Sequence, residues 1–227
     1  MKADVRPDRP GLPELLVGVI VLAVVAIGGA FSLMQLAIHP VAQGLILSAL
    51  SGVGGMIAFL AAYRLRLRSW SAFGVGATTW RWMLIGVGLG VVTFVLKAFA
   101  ILVYVSVSGD SQNIQEVYAT GASGSVWTAV TAVFLLSIVT PIGEEFLFRG
   151  VVTSALLRYG AATGVLGGAI IFALFHGLNA VFPAALVTGL AAGEVFRRSG
   201  SIWPAVTVHA VVNLPTIPAM LLAGIRT

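Results

Sequence analysis

Residues 140–150 read Thr140-Pro141-Ile142-Gly143-Glu144-Glu145-Phe146-Leu147-Phe148-Arg149-Gly150, with apolar sequence running out on both sides. Two adjacent carboxylates and an arginine inside such a run stand out in a chain with only 8 acidic residues among 227. An ionisable side chain at bilayer depth costs about 2.5–3.5 kcal/mol on insertion scales, so its presence there points to function. The stretch decides the fold because the sequence around it is membrane sequence.

The chain is 59% hydrophobic and 9% charged, with a mean hydropathy of +1.03, whereas a soluble domain carries about 25% charged residues. Apolar runs long enough to cross a bilayer recur throughout, which predicts an all-α, polytopic transmembrane helical bundle. The runs lack the alternating polarity of a β-barrel. Segments are expected over residues 12–38, 41–63, 82–107, 126–158, 161–178 and 181–196. A last one starts near Ile202 and is interrupted by Pro215 and Pro218. That makes seven or eight segments, depending on whether the tail after Asn213 crosses again. Residues 108–125 form a polar, Gly/Ser-rich loop. Pro141 removes a backbone hydrogen bond one turn before the carboxylates, so the motif helix is expected to be broken there. Such breaks are tolerated at membrane depth where the backbone lines a cavity.

The formal charge of +5 does not point to nucleic acid, because the basic residues sit in short loops between apolar runs. With the N-terminus inside, the inner loops hold Lys2, Arg6, Arg9, Arg64, Arg66, Arg68, Arg81, Arg158, Arg197 and Arg198. The outer side holds only Arg226, and Lys97 and Arg149 are intramembrane. This bias predicts a cytoplasmic N-terminus. A composition rich in Ala, Gly, Val and Arg suggests a bacterial plasma membrane. The first helix is expected to be retained, with no removed signal peptide. The chain has no cysteine, which excludes disulfides and thiolate chemistry. The pairs Gly86/Gly90, Gly164/Gly168 and Gly189/Gly193 are expected to let helices approach closely.

Few polar groups lie within the segments, so their spacing is informative. Glu145 and Arg149 are four apart with the acid first, the favourable order for a helical ion pair. Glu144 then points about 100° away around the helix. His176 follows Phe172 at the same spacing, and His209 and Asn213 share one helical face. Glu144 and His176 lie roughly 21–23 Å from the inner boundary, and His209 roughly 12 Å, at 1.5 Å per residue. Two glutamates, two histidines and an asparagine are thus expected to converge as one site, with His209 the shallower member. Lys97 is left outside it: counter-ion to Glu144 or Glu145, gating element and snorkelling residue are all open. Glu194 beside Arg197 and Arg198 reads as a charge pair at a helix end.

Glu144-Glu145-x-x-x-Arg149, Phe172-x-x-x-His176 and His209-x-x-x-Asn213, in this order, resemble the three motifs of the CAAX protease and bacteriocin-processing (CPBP, or Abi) family. Gly200-Ser201-Ile202-Trp203-Pro204-Ala205 resembles the stretch that commonly precedes the third motif. The resemblance covers about residues 126–215. It divides the chain into residues 1–125, a tail and three segments without signature, and residues 126–227, a catalytic core. It implies intramembrane proteolysis of the glutamic type. Glu144 would be general base on a water held with the help of His176, and His209 and Asn213 would form an oxyanion hole. Glu145, Arg149 and Phe172 would support them.

The residue chemistry agrees, since amide hydrolysis needs an activated water and donors aimed at the tetrahedral oxyanion. No cofactor is then required, and the partners are membrane lipids and a peptide or membrane-protein substrate. Zinc is the mechanistic alternative, with Glu144, His176 and His209 as three ligands around an open position. The sequence has no His-Glu-x-x-His to supply two ligands and a base from one helix. A transporter using the cluster as a proton relay and a non-catalytic immunity or scaffold protein are the alternatives from other classes.

Overall fold

Helix boundaries follow local chemistry. In the computed structural model, which describes residues 9–110, 112 and 115–222, helix α1 spans Leu12–Met34. It starts where the Glu14 carboxylate accepts from the Gly11 N–H at 2.9 Å. Helix α2, Pro40–Leu65, starts with Pro40 in its first turn and with His39 Nδ1 accepting from Val41 N–H. Helix α3, Trp80–Ser108, is capped by the Thr79 hydroxyl. Residues 116–122, expected as loop, form a short helix α4, Glu116–Ala122. Helix α5, Val126–Tyr159, opens on a reciprocal cap between Ser125 and Thr128. Helices α6, Ala161–Leu174, and α7, Val181–Ser199, follow. Helix α8, Ile202–Leu222, starts at the Ser201 cap and changes course at Leu214–Pro215. Lys2, Arg6 and Arg226 lie outside the described residues.

Five of these helices, α1, α2, α3, α5 and α8, are long and apolar enough to cross a membrane. The described residues contain no strand. The protein is a membrane-embedded helical bundle, as the composition predicts. Apolar side chains such as Phe31, Leu96, Phe99 and Trp127 are exposed on its outside, as suits a lipid solvent.

The motif helix is not severed at Pro141. It runs continuously but leaves α geometry twice, with π-helical stretches at Leu135–Val139 and Phe146–Thr153 on either side of the α turn Thr140–Glu145. The wider turns absorb the missing proline donor without a chain break, and π-bulges are frequent at functional sites.

Two close approaches fix this helix. Gly52 and Gly55 of α2 press directly on the α5 backbone at Val139–Thr140 and Gly143–Glu144, so a side chain on either glycine, or on Gly143, would overlap the opposing main chain. The Thr140 hydroxyl donates to the Ser48 carbonyl at 2.7 Å across the same contact. The glycine pairs picked out by spacing also pack: Gly86 and Gly90 against α8, Gly164 and Gly168 against α5, Gly189 and Gly193 against α6. Below the site lies an aromatic core of Phe59, Tyr63, Trp70, Phe73, Phe146 and Trp203.

Among the described residues, Arg9, Arg66, Arg158 and Arg197 gather at one end. Arg66 pairs with buried Glu14 at 2.6 Å, tying α2 to α1. Arg158 donates to the Arg9 carbonyl, and Arg197 and Arg9 line one hollow. Glu194 pairs with Arg197 and Arg198 at the end of α7, as expected.

Candidate active site

Four elements bring the sequence motifs to one place. The α turn of α5 carries Glu144 and Glu145, both buried. One turn later Arg149, fully buried, holds Glu145 with N–O distances of 2.7 and 3.1 Å. This is the ion pair the i,i+4 spacing predicts. The Arg149 guanidinium also lies over the Phe172 ring, 5.0 Å from its centroid.

Phe172 is the hub of α6. Its ring meets Phe148 edge-on, contacts His176 at 4.7 Å and receives His209 at 5.7 Å in a T-shaped arrangement. His176 does not lie inside a helix. Helix α6 ends at Leu174, because Gly177 takes a left-handed conformation with φ 81° and Asn179 caps the start of α7 through its Oδ1. The 14 residues of α6 span about 21 Å, less than the ~30 Å of a hydrocarbon core. The irregular 175–180 backbone that follows contributes Phe175 and His176 to a cavity wall, while Leu178 is exposed. His176 Nδ1 donates to the Phe172 carbonyl at 3.0 Å, which leaves Nε2 with the acceptor lone pair in the neutral ring.

His209 is level with the two glutamates. Its Nδ1 lies 2.9 Å from Glu145 Oε1 and its Nε2 3.9 Å from Glu144 Oε2. Depth counted from Ser201 places it shallower only if that residue stands at the membrane boundary. Ser201 and Ile202 are instead buried, with the Ser201 hydroxyl on the Gly76 carbonyl and the Ile202 N–H on the Gly74 carbonyl. Helix α8 thus starts well inside the protein. A second difference concerns roles: the sequence reading turned Glu145 to Arg149 and Glu144 to the histidines, whereas His209 hydrogen-bonds Glu145. Asn213, one turn on, donates through Nδ2 to the Leu136 carbonyl at 3.0 Å.

Glu144, Phe172, His176, His209 and Asn213 line one cavity of about 90 Å³, room for several waters. Glu144 and His176 also line an adjoining chamber of about 240 Å³, walled further by Leu22, Ala26, Phe148 and Phe175. They stand where the two spaces meet. Glu144 Oε2 has no hydrogen-bond partner among the described residues, whereas Glu145 Oε1 accepts from Arg149 and His209. The arrangement can bind water at a carboxylate beside two imidazoles, inside a low-dielectric wall.

Ser51, Lys97, Tyr118 and Thr188 share the cavity lining. Sequence reasoning missed Ser51, Tyr118 and Thr188, which carry no motif spacing, and left Lys97 outside the site. Lys97 was findable as a charge within an apolar run. Among the described residues no group of three His, Asp or Glu side chains is arranged to hold a metal ion.

No curated protein and no solved structure matches the chain. A family model, described as Rce1-like: Type II CAAX prenyl endopeptidase Rce1-like, matches residues 125–215, the stretch from the start of α5 to the bend in α8. Through that stretch the chain is similar to the Rce1-like CAAX proteases of the CPBP group, a family of peptide hydrolases.

Proposed function

We propose that Glu144, His176, His209 and Asn213 form the active site of a metal-free, glutamic-type endopeptidase. It would hydrolyse a peptide bond within or beside the membrane. The observation that carries this reading is the Glu144 carboxylate at the junction of two cavities, with one oxygen unbonded by protein and both imidazoles on the same walls.

A water between Glu144 and His176 gives its proton to the Glu144 carboxylate as its oxygen attacks the scissile carbonyl carbon. The resulting oxyanion faces His209 Nε2 and the second N–H of the Asn213 amide. For His209 to donate there, Nε2 must carry a proton in addition to the one Nδ1 gives to Glu145. The cluster is then balanced in pairs, Glu145 with Arg149 and Glu144 with His209. When Glu144 becomes neutral the site gains one net positive charge, as the substrate gains one negative charge. Fixed charges that complement charge developed in the transition state are the largest single source of catalysis in many enzymes. Collapse of the intermediate returns the Glu144 proton to the leaving amine, and both electrons of the C–N bond go with that nitrogen.

In this reading Glu145 and Arg149 orient His209, and Phe172 holds both imidazoles in register. The N-terminus and the basic end of the bundle face the cytoplasm of a bacterial cell. Residues 126–227 supply the chemistry, and residues 9–125 supply cavity walls. The test is cleavage of a membrane-anchored peptide by purified protein. Wild type is expected to cleave in the presence of chelator, and Glu144→Ala and His176→Ala to be inactive. Activity surviving both substitutions overturns the assignment, and loss on chelation overturns its metal-free form.

A further inference from the structure

One stripe of α3 runs along α8 and ends at Lys97. Gly86, Gly90, Thr93 and Lys97 recur at the spacing of a single helical face. The first three are buried, and both glycines press on α8 between Pro204 and Val211. Lys97 takes the next step along that seam, where α8 loses its regular form. The regular part of α8 ends at Asn213, so the carbonyls of its last turn lack partners within the helix. Pro215 has no N–H to offer them. The Val212 carbonyl is met from α3 instead: Lys97 Nζ donates to it at 3.0 Å and to the Thr216 hydroxyl at 3.5 Å. The two contacts fall on either side of the Leu214–Pro215 bend. A cation is the favourable donor here, since the end of a helix carries the negative pole of its dipole. Among the described residues no carboxylate lies within ion-pair distance of Lys97, whereas Glu14, Glu145 and Glu194 are each paired with an arginine.

We propose that Lys97 is a positioning residue of the active site. It clamps the α8 bend from both sides and so fixes Asn213, which lies between its two contacts. This rests on the peptidase reading, in which Asn213 supplies an oxyanion donor. Asn213 is the last residue of the regular helix, and helix ends fray unless they are held. Its side chain also carries the bond to the Leu136 carbonyl at 3.0 Å, which ties it to the π-helical stretch ahead of Glu144. Lys97, the bend, Asn213 and the Leu136 carbonyl thus form one chain of contacts from α3 through α8 to α5. The lysine reaches the reacting atoms only through that chain. A misplacement of about 1 Å costs about 10²-fold in rate, so the clamp governs turnover and leaves substrate binding alone. A charge at this depth is costly, and the clamp is what it serves.

Full-length protein in nanodiscs is compared as wild type, Lys97→Met, Lys97→Arg, Asn213→Ala and the Lys97→Met, Asn213→Ala double variant. Lys97→Met is expected to lower kcat on a membrane-anchored peptide by about 10²-fold with KM unchanged. Lys97→Arg is expected to keep most of the rate. Asn213→Ala retains a residual rate about 10²–10³-fold below wild type, and adding Lys97→Met is expected to lower it no further, as for two residues acting in one chain. Equal losses in both backgrounds overturn the proposal, and so does a loss that falls on KM. Hydrogen exchange read by mass spectrometry gives a measure free of catalysis. Lys97→Met is expected to speed exchange about tenfold or more across residues 210–220, the factor carried by a hydrogen bond to a charged group, and to leave residues 202–209 as in wild type. Uniform acceleration along α8 marks a merely structural lysine and overturns the clamp. A shifted pH profile of kcat with unchanged exchange assigns Lys97 to the electrostatic field of Glu144 and overturns it too. A bend that loosens as expected in a protein whose wild type cleaves nothing sinks the peptidase reading alone. Cleavage with an unmoved bend and unchanged kcat sinks the clamp alone.

Discussion

Asn213 donates to the carbonyl of Leu136, the carbonyl that Pro141 leaves without a backbone donor. In the π stretch before the motif each N–H reaches five residues back, as Thr140 does to Leu135. The next donor in that register would be residue 141, and proline has none. Asn213 fills the gap from another helix. Its amide thus sets the geometry of the motif turn, while its second N–H stays available for the oxyanion. A buried carbonyl left unsatisfied costs about 1–3 kcal/mol. Asn213→Ala is expected to lose about that much stability in denaturant unfolding in detergent, besides losing activity. Pro141→Ala in the Asn213→Ala background is expected to recover part of the stability, because residue 141 then carries its own N–H.

Glu144 and Glu145 are expected to separate cleanly on substitution. Glu144→Gln should lower cleavage by about 10²–10⁴-fold or more, the usual range for a general base, with little change in unfolding because Oε2 is bonded to no protein group. Glu145→Ala leaves the fully buried Arg149 without its carboxylate, a loss of about 3–5 kcal/mol for a broken buried pair. Melting temperature and activity measured on both variants check this. A Glu145→Ala protein as stable as Glu144→Gln would contradict the bracing role.

The α2–α5 contact leaves no room for a methyl group. Gly143→Ala and Gly52→Ala are expected to destabilise by about 1–3 kcal/mol or more through overpacking. Gly88→Ala, on α3 with no atom within 4 Å of an added Cβ, is expected to be neutral or mildly stabilising, since alanine is the better helix former by about 1 kcal/mol. Unfolding of the three variants side by side gives the comparison.

The absence of cysteine makes single-cysteine labelling free of background. Ser69 and Ser123 are exposed at the α2–α3 turn and just before α5. With the basic end inside, Ser123→Cys is expected to react with a membrane-impermeant maleimide in intact cells. Ser69→Cys should react only after permeabilisation. The reverse pattern would invert the proposed orientation.

The bundle was legible because hydrophobic runs and basic loops are one-dimensional signals, and the Glu145–Arg149 pair because both residues share one helix. The match of α5 to α8 was not. Depth counting from Ser201 assumed that a polar loop marks the membrane boundary, but Gly74 and Gly76 supply carbonyl partners that let Ser201 and Ile202 sit inside. The end of α6 at Leu174 depends on Gly177 and Asn179, which read as a continuation of an apolar segment. The short helix at Glu116–Ala122 was hidden by its polar, glycine-bearing composition. Tyr118 on that helix and Ser51 on α2 face the cavity only because of packing between distant segments.

The Gly52–Gly143 contact also has a bearing on how the protein is made. Chains are synthesised from the N-terminus, so α2 enters the bilayer before the motif emerges. When Glu144 and Glu145 arrive, the Gly52–Gly55 notch and the Ser48 carbonyl are already in place to receive the Thr140–Glu145 turn. Arg149 follows four residues later to neutralise Glu145, and His209 comes last. The segments that carry no signature thus serve as the docking face for a helix that would be costly to leave against lipid. Biogenesis and catalysis draw on the same glycine notch.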